Sequence, residues 1–497
     1  MKKLHILLII CMSINLIALS QSKFGSKLKE EKKNNNDVIG YSISGTIEGL
    51  EDTSVILAYY FGGKQYAADT AQSINGNFSF KGTRELEGGM YLVVLPNQQF
   101  FDIIISEKKF SFNTKLDDLV GSMNFKNSKE NTPFYNYLRF ITEMQKEVTP
   151  IRNEMESATE ERKLVLKNMS EKIDNKVKDY RRQFMIENSD VFFSKIVQAT
   201  SEIIIPASPL DSLGNIDKTF PYRFYKQHFW DNIDFSDQRM LRTPLFFNKM
   251  DQYFEKLTAK HPDSINISAD ILVNLSKANG EIFQYVVSYI TSTYERSKIM
   301  GMDAVFVHMV ENYYITKQCD WVDSLQLIKI VDRAEKIAPN LIGRKASEFL
   351  DFYGRPFMKD PSGKTHTLNE IIADYTLLVF FGPTCGHCKK EMPKVKHKLD
   401  SLIAEGIDIK TFIVATEFDK VEWQKFIDTQ KTGEWLNVAD INHDEEGNPV
   451  ASSDWRDKYD IYSTPVIYLL DRDKKIIAKR ITHEQIGEII GRIDAIN

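Results

Sequence analysis

Between residue 41 and about residue 128, the chain contains short apolar or alternating runs, among them YSISGTI, MYLVVL and FFDIII. Gly, Asn and Asp residues separate these runs, and this combination is typical of β-strands joined by turns. Asn75-Gly76 has the sequence of a tight hairpin turn. The pattern predicts a small antiparallel, sandwich-like β-domain over residues 39–128.

The apolar period then changes from two residues to three and four. Phe134, Tyr137 and Ile141 are spaced in this way, as on the buried face of an amphipathic helix. Residues 154–182 are highly charged and predict one long exposed helix. We therefore expect a central all-α domain over residues 129–337, in which the histidines lie too far apart in sequence to form a metal site.

From residue 338 onward, short buried runs alternate with helical patterns. The run 376–381 is too short for a free-standing helix and is ended by Gly382-Pro383, so it predicts a buried strand. The elements expected after it are a helix over 385–404, a strand over 407–415, a helix over 420–428, a strand over 465–470 and a closing helix over 483–496. They predict a C-terminal α/β domain over 338–497, with a mixed sheet flanked by helices.

Length and charge agree with a chain of several ordinary domains. At 497 residues the chain is too long for a single core and fits about three domains. Charged residues make up 27% of the chain and the net charge is −5, so nothing favours a polyanion as partner. Since basic, aromatic-rich segments are lacking as well, we expect no binding to nucleic acid.

The N-terminus has the layout of a secretory signal peptide. Lys2-Lys3 precede an apolar run, 4–19, and Ala18-Leu19-Ser20 resembles a cleavage site. Residues 1–20 are therefore predicted to be a signal peptide, and the charged, low-complexity residues 21–38 a linker. This predicts an exported protein of the periplasm or cell envelope.

Two other interpretations of the N-terminus are weaker. The apolar run could be retained as a membrane anchor, but it is short and interrupted by Ser13 and Asn15. A lipoprotein would need a small residue before Cys11, where Ile10 stands. No other stretch is apolar enough to cross a bilayer, so we expect no stable membrane span after cleavage.

Signal cleavage would leave three of the four cysteines: Cys319, Cys385 and Cys388. Three cysteines in an exported chain do not make a disulfide-stapled scaffold. The close pair is therefore predicted to be catalytic. Cys319 lies among aromatic residues on a helical pattern and is predicted to be a buried, inert thiol, with a third redox partner as the alternative.

The pair Cys385 and Cys388 has the C-x-x-C spacing and follows directly on a predicted buried strand. Cys385 falls at the first turn of a helix, where free backbone N–H groups and the helix dipole stabilise a thiolate. The thiolate is the nucleophile of disulfide exchange. Cys388 lies one turn further on, near enough to attack a mixed disulfide at Cys385. The spacing predicts a thiol–disulfide exchange site.

The stretch LLVFFGPTCGHCKKEMP resembles the thioredoxin superfamily, and more closely its extracytoplasmic TlpA/ResA-like branch. In that branch a Glu-x-Pro follows the second cysteine, as Glu391 and Pro393 do here, and a cis-proline loop faces the cysteines, matched by Thr464-Pro465. The two upstream regions resemble a β-domain and a helical domain of unknown function that precede such modules. The resemblance implies a thioredoxin-like fold with a Cys385–Cys388 redox disulfide.

The same resemblance implies roles for the residues around the pair. Glu391 would carry the proton of the buried cysteine, although a glutamate in a lysine-rich turn could equally be a solvated surface group. Pro465 would follow a cis bond, and Thr464 would pair with the substrate backbone. Thr384 stands where thioredoxins usually have Trp. Together with Thr464 and Pro465, it is a candidate substrate-binding residue.

Two further departures from thioredoxin affect the redox chemistry. Val379 stands where cytosolic thioredoxins carry a buried Asp that assists proton transfer. His387 replaces the usual Pro between the cysteines. A positive charge on His387 would favour the thiolate and make the couple more oxidising, so His387 joins the candidate catalytic residues Cys385, Cys388 and Glu391. The alternative is a solvent-facing His with little influence.

Two other chemistries fit the residues poorly. Peroxidases of this fold need P-x-x-x-T-x-x-C, whereas Pro383-Thr384-Cys385 are contiguous. A zinc site would need four ligands, and His387 and His397 are the only local additions to the two cysteines. We expect neither a metal nor another cofactor.

The sequence thus predicts an exported enzyme that reduces protein disulfides through its CGHC dithiol. Such a reductase needs electrons, so a membrane thiol donor is implied as a partner. One alternative is an envelope scaffold protein that holds its clients through the thioredoxin-like domain. Another is a disulfide oxidase or isomerase.

Overall fold

The computed structural model describes residues 39–210, 212–417, 419–442 and 450–495. The predicted signal peptide, the linker and Cys11 lie outside these ranges. The chain divides into two compact units, whose described residues lie within 39–258 and 274–283 for the first, and within 259–273 and 284–495 for the second. The domain boundaries expected from the sequence stay predictions. No helix among the described residues is both long and apolar enough to cross a membrane.

The first unit begins with a β-domain of two four-stranded sheets. Its strands are β1 (Tyr41–Glu48), β2 (Thr53–Phe61), β3 (Lys64–Ser73), β4 (Asn77–Gly82), β5 (Gly89–Val94), β6 (Phe100–Ile105), β7 (Lys109–Lys115) and β8 (Asn124–Lys126). The sheet orders are β4-β1-β7-β8 and β3-β2-β5-β6. All pairs are antiparallel except β1 with β7. The ring centroids of Phe101 on β6 and Phe112 on β7 are 5.5 Å apart, so side chains of the two sheets share one core.

The predicted hairpin turn lies between β3 and β4. Asn75 and Gly76 have φ angles of 50° and 75°, the left-handed conformation that this two-residue turn needs at both positions. A Cβ atom at Gly76 would lie 2.3 Å from the carbonyl oxygen of Ile47. Glycine is therefore required here for space as well as for conformation.

Helices make up the middle of the chain, as predicted. They are α1 (Asn131–Ser157), α2 (Glu160–Glu187), α3 (Phe192–Ala199), α4 (Phe220–Gln227), α5 (Pro244–Lys256), α6 (Pro262–Ser276), α7 (Gly280–Glu295), α8 (Asp303–Met309) and α9 (Ser324–Ile337). The long charged helix predicted over 154–182 is present as α2, but it begins later than predicted, because α1 ends at Ser157 and Thr159 caps α2 by accepting from the backbone N–H of Arg162. The periodic residues Phe134, Tyr137 and Ile141 are buried.

The C-terminal domain has the expected mixed sheet flanked by helices. Its strands are β9 (Tyr375–Phe381), β10 (Ile409–Ala415), β11 (Leu436–Ala439), β12 (Val466–Leu470) and β13 (Ile476–Lys479), and its helices are α10 (Gly386–Ala404), α11 (Lys420–Gln430), α12 (Trp455–Lys458) and α13 (His483–Asp494). The sheet order is β11-β10-β9-β12-β13. The first three strands are parallel, and β12 and β13 run antiparallel to their neighbours. This is the thioredoxin-like fold.

Strand β9 lies at the centre of this sheet, and all seven of its residues are buried. Leu377, Val379 and Phe381 share one apolar cluster with residues of α10, α11 and α13. Leu378 and Phe380 belong to a second cluster that includes Trp455 and Tyr459, so side chains alternate between two cores. Since α10 and α13 contribute to the same cluster, the two helices lie side by side on one face of the sheet.

Candidate active site

The site is built where β9 ends and α10 begins. Gly382 and Pro383 turn the chain out of the sheet, and Cys385 is the N-cap residue of α10. A Cβ atom at Gly382 would lie only 3.1 Å from the Cβ of Cys385. The glycine therefore allows the strand end and the helix start to approach closely.

Cys385 is partly exposed and lies at the free N–H groups of the first helical turn. Burial tends to raise the pKa of its thiol, but hydrogen bonds from the backbone N–H groups of Cys388 and His387 and from the Thr464 hydroxyl outweigh burial and lower the pKa. A lower pKa increases the fraction of thiolate, the reactive form. Cys385 is thus suited to be the nucleophile.

Cys388 has the opposite environment. Its side chain is fully buried, and burial raises the pKa of its thiol to about 12, although the Thr464 hydroxyl and the Gly382 backbone N–H favour the thiolate. Both cysteines are free thiols in this structure. The Cys385–Cys388 disulfide itself stays a prediction.

This asymmetry can be tested by alkylation with iodoacetamide. We expect the rate at Cys385 to rise with pH as its thiolate forms, with a midpoint below the value of about 8.5 for a free cysteine. Cys388 should react far more slowly until the protein unfolds. Cys319 serves as the internal control, because it is buried and burial raises its pKa to about 12. Mass spectrometry of the cysteine-containing peptides measures the three alkylation rates. Equal rates at Cys385 and Cys388 would contradict the assignment of Cys385 as the nucleophile.

The predicted proline loop lies against the cysteines. Strand β12 pairs with β9 so that Val466 is opposite Phe380, and the residues before β12 therefore lie beside those after β9. The Thr464-Pro465 peptide bond is cis, and the carbonyl oxygen of Thr464 lies 3.5 Å from the Sγ atom of Cys385. The fold thus brings Thr464 and Pro465 to the dithiol.

Thr384 has a partner that was not predicted from the sequence. Its hydroxyl donates to Oε2 of Glu417 at 2.6 Å. A Cβ atom placed on Gly382 would lie 3.1 Å from Oε1 of Glu417 and 3.1 Å from the Cβ of Cys385. These two atoms are therefore within 6.2 Å (twice 3.1 Å) of each other. An exposed carboxylate therefore lies beside the nucleophile. The sequence offered one signal for Glu417: it follows the carboxyl end of β10, which runs parallel to β9. Binding sites commonly form at the carboxyl ends of parallel strands.

His387 and Glu391 are placed differently from the cysteines and the proline loop. The His387 side chain is exposed, and its backbone N–H is the part that acts on Cys385. The Glu391 carboxylate is hydrogen-bonded to Nδ1 of His483, with 2.5 Å between Oε1 and Nδ1. Burial tends to raise the pKa of Glu391, but the His483 pairing outweighs it and lowers the pKa. His483 was not among the site residues predicted from the sequence.

The described ranges also bear on a metal centre. Within them, no three His, Cys, Asp or Glu side chains are grouped in a way that could hold a metal ion.

A polarised pair of thiols at a helix start, facing a cis-proline loop on a thioredoxin-like sheet, defines the class of protein. The C-terminal domain is that of a thioredoxin-like thiol–disulfide oxidoreductase. Residues 342–479 match the AhpC/TSA family. Residues 41–134 match one domain of unknown function, DUF4369, and residues 211–340 match another, DUF5106.

Several solved structures are similar to this chain. A thioredoxin-like protein from Bacteroides caccae is 18% identical, with 58% of this chain and 99% of that chain covered and a TM-score of 0.41. A domain of a possible thiol-disulfide isomerase from Cytophaga hutchinsonii is 35% identical, with 31% and 94% covered and a TM-score of 0.26. The thioredoxin domain of a thiol-disulfide oxidoreductase from Bacteroides vulgatus is 22% identical, with 31% and 96% covered and a TM-score of 0.25. No curated protein matches the chain.

Proposed function

We propose that this protein is an exported reductase that acts on disulfides of cell-envelope proteins through Cys385 and Cys388. The observation that supports this best is the contrast between the two thiols. Cys385 is accessible and its pKa is lowered, whereas Cys388 is buried and its pKa is raised. Such a pair has one thiol for attacking a substrate and one reserved for the second step.

The proposed reaction has two exchange steps. The Cys385 thiolate attacks one sulfur of a substrate disulfide, a Cys385–substrate bond forms, and the other substrate sulfur leaves as a thiolate. Cys388 then loses its proton and attacks Sγ of Cys385. The Cys385–Cys388 bond forms, and the second substrate sulfur leaves as a thiolate with the bonding electron pair. Two electrons pass to the substrate, whose two thiolates take protons from solvent.

Three further residues have proposed roles in these steps. The Thr464 hydroxyl stabilises both sulfurs as they become anionic, and the cis Thr464-Pro465 loop borders the place where the substrate sulfur must lie. Glu391 lies one turn beyond Cys388 on α10 and receives the proton that Cys388 loses.

Export and the electron source are also part of the proposal. The N-terminal signal-peptide pattern supports an envelope location. An enzyme that reduces disulfides there is itself oxidised at each turnover. A membrane protein that transfers electrons through thiols is therefore the expected donor.

A second candidate, a disulfide oxidase or isomerase, is favoured by one specific observation. Stabilising the Cys385 thiolate stabilises the reduced protein, and a couple with a stabilised reduced form is more oxidising. The lowered pKa of Cys385 is therefore compatible with electron flow in either direction, and the direction has to be measured.

The reduction potential of the couple, measured against glutathione or dithiothreitol buffers, decides the direction. A potential near the thioredoxin value of about −270 mV, or lower, supports a reductase, and one near about −180 mV or higher supports an oxidase or isomerase. Turnover is measured alongside by insulin reduction. If the wild-type protein captures insulin stably without turnover, the proposed enzymatic activity is contradicted. That result would favour a scaffold protein that holds its clients.

A further inference from the structure

A glutamate borders the entrance to Cys385 on the side away from the proline loop. Strand β9, which leads to Cys385, lies between β10 and β12 in the sheet. On the β12 side, the carbonyl oxygen of Thr464 lies 3.5 Å from Sγ of Cys385. On the β10 side, Glu417 follows the last residue of the strand, Ala415, by two positions. A substrate that reaches Cys385 therefore meets a peptide backbone on one side and a carboxylate on the other.

Both the backbone and the side chain hold this carboxylate in place. Thr416 donates its backbone N–H, at 2.8 Å, and its hydroxyl, at 3.1 Å, to the carbonyl oxygen of Phe381 at the end of β9. Oε2 of Glu417 accepts a hydrogen bond from the Thr384 hydroxyl at 2.6 Å. Among the described residues, no cation forms an ion pair with Glu417. Glu417 thus supplies a negative charge with a fixed place and without a counter-ion from the described part of the chain.

Gly382 leaves the space that this arrangement needs. A Cβ atom at this position would lie 3.1 Å from Oε1 of Glu417 and 3.4 Å from its carboxyl carbon. A side chain at Gly382 would therefore push the carboxylate away from the nucleophile. With glycine there, Oε1 of Glu417 lies within 6.2 Å (twice 3.1 Å) of the Cβ of Cys385.

A carboxylate so close to the nucleophile acts on the polypeptide that brings a disulfide to it. The residues next to a substrate cysteine have their Cα atoms only about 3.8 Å from that of the cysteine. Their side chains therefore come within reach of Glu417 when the substrate sulfur meets Cys385. Glutamate is negatively charged at neutral pH, so it attracts lysine and arginine at these positions and repels aspartate and glutamate. Charge complementarity of this kind acts mainly on specificity and on the rate of encounter.

The other charged side chains at this end of α10 are Lys389 and Lys390, which are exposed. They follow Cys385 by four and five positions, so they lie a turn or more further along the helix. His387 is exposed as well. These groups are the same in the wild-type protein and in a Glu417 variant. A comparison of the two therefore isolates the effect of the carboxylate.

We propose that Glu417 is a specificity-determining residue that favours substrate disulfides with a lysine or arginine next to the attacked cysteine. This rests on the proposed disulfide exchange and names the class of polypeptide that Cys385 attacks most readily. Glu417 forms and breaks no bond in the reaction. It stabilises the approach of a cationic substrate, so it changes the rate of the first exchange step.

Three peptide disulfides test this proposal on the full chain. Each is a symmetrical dimer of one short peptide joined through its single cysteine, with Lys, Gln or Glu on both sides of that cysteine. Either sulfur then has the same neighbours. Reduced protein is mixed with each peptide, and the initial rate of peptide reduction is measured by chromatography of acid-quenched samples. Because the flanking residues also change the reactivity of the disulfide itself, each rate is divided by the rate with dithiothreitol and no protein.

The readout is the ratio of the normalised rate for the Lys peptide to that for the Glu peptide. We expect this ratio to fall by about tenfold from the wild type to Glu417→Gln, because an exposed charge pair changes a rate by a few-fold and the lost attraction and lost repulsion multiply. Glutamine can still accept the hydrogen bond from Thr384, so the variant removes the charge and little else. Glu417→Lys should lower the ratio by about as much again, and the Gln peptide should respond least.

Salt and a distant glutamate provide the controls. The difference between the wild type and Glu417→Gln should nearly vanish in 1 M sodium chloride, where the screening length is about 3 Å. Glu405 is an exposed residue at the C-cap of α10. The helix has 19 residues, which places Glu405 about 28 Å from Cys385 at a rise of about 1.5 Å per residue. Glu405→Gln should therefore keep the wild-type ratio.

The results separate this proposal from the proposed function. A ratio that stays unchanged in both Glu417→Gln and Glu417→Lys would overturn the specificity role. A fall that persists in 1 M sodium chloride, or that Glu405→Gln shows equally, would overturn it too. A wild-type protein that reduces none of the three peptides would instead contradict the exchange activity itself. Circular dichroism checks that each variant is folded.

Discussion

Replacing Cys385 with serine is expected to reduce insulin-reduction activity by on the order of 10³-fold or more, because the chemistry has no other nucleophile. A hydroxyl at this N-cap position is not ionised at neutral pH and cannot attack a disulfide sulfur. The fold should be unaffected, since the side chain is partly exposed and serine is a good N-cap residue. The activity is measured with dithiothreitol as electron donor, and circular dichroism checks the fold.

Cys388→Ser is the matched control for this prediction. It keeps the nucleophile but lacks the thiol for the second step, so it should form a mixed disulfide with the substrate and hold it. Trapped substrate is detected as a shift on a non-reducing gel that dithiothreitol reverses. Turnover that survives in Cys385→Ser, or trapping by Cys385→Ser in place of Cys388→Ser, would show that the roles of the two cysteines are assigned wrongly.

The second large effect concerns a buried ion pair within the second unit. Lys479 on β13 is almost fully buried; its Nζ forms an ion pair with Asp303, the first residue of α8, and donates to the Asn340 carbonyl oxygen at 2.6 Å. Asp303→Ala would leave the Lys479 ammonium buried without its counter-charge. We expect a loss of about 3–5 kcal/mol in the local free energy of unfolding. Hydrogen exchange of β13 amides in the full chain measures this as a fall in protection of about 10²-fold to about 4 × 10³-fold.

Two further variants and a pH series test the cause of this loss. Asp303→Ala combined with Lys479→Met should recover most of the protection, since an apolar side chain of similar length needs no counter-charge. Asp454→Ala removes the partner of Lys458 from an exposed ion pair and should cost less than about 1 kcal/mol.

Burial lowers the pKa of Lys479, so the folded state favours its neutral form more than the unfolded state does. Raising the pH towards the pKa of an ordinary lysine should therefore lessen the loss in free energy of unfolding that Asp303→Ala causes. A penalty that stays constant with pH, or that persists in the double variant, would mean that lost packing and not the buried charge is responsible.

The parts of the site that lie on continuous chain could be predicted from the sequence. Residues 376–381, the Gly382-Pro383 turn and the two cysteines follow one another within a few positions, so local pattern and helix-terminus physics determine a strand, a turn and a nucleophile at a helix start. The structure confirms the strand and places Cys385 at the N-cap. Thr464-Pro465 is more distant in the sequence, and it was recognised through its family motif.

Pairings between distant segments were decided by the tertiary structure alone. The partners of Glu391, Thr384 and Lys479 are 92, 33 and 176 positions away, and no local period relates residues so far apart. For this reason the sequence left Glu391 undecided between a proton carrier and a surface group. Only the packing of α13 beside α10 brings His483 to it.

The sequence by itself therefore determined that a C-x-x-C pair follows a buried strand, which predicts the redox dithiol, and that the C-terminal domain has a thioredoxin-like sheet. Hydrophobic periodicity and helix-terminus effects act over a few neighbouring residues, so they can be recognised in the sequence alone. The tertiary structure decided how the two thiols differ and which side chains surround them. Burial and hydrogen-bond partners set a pKa, and both exist only once β9, β12, α10 and α13 are packed together.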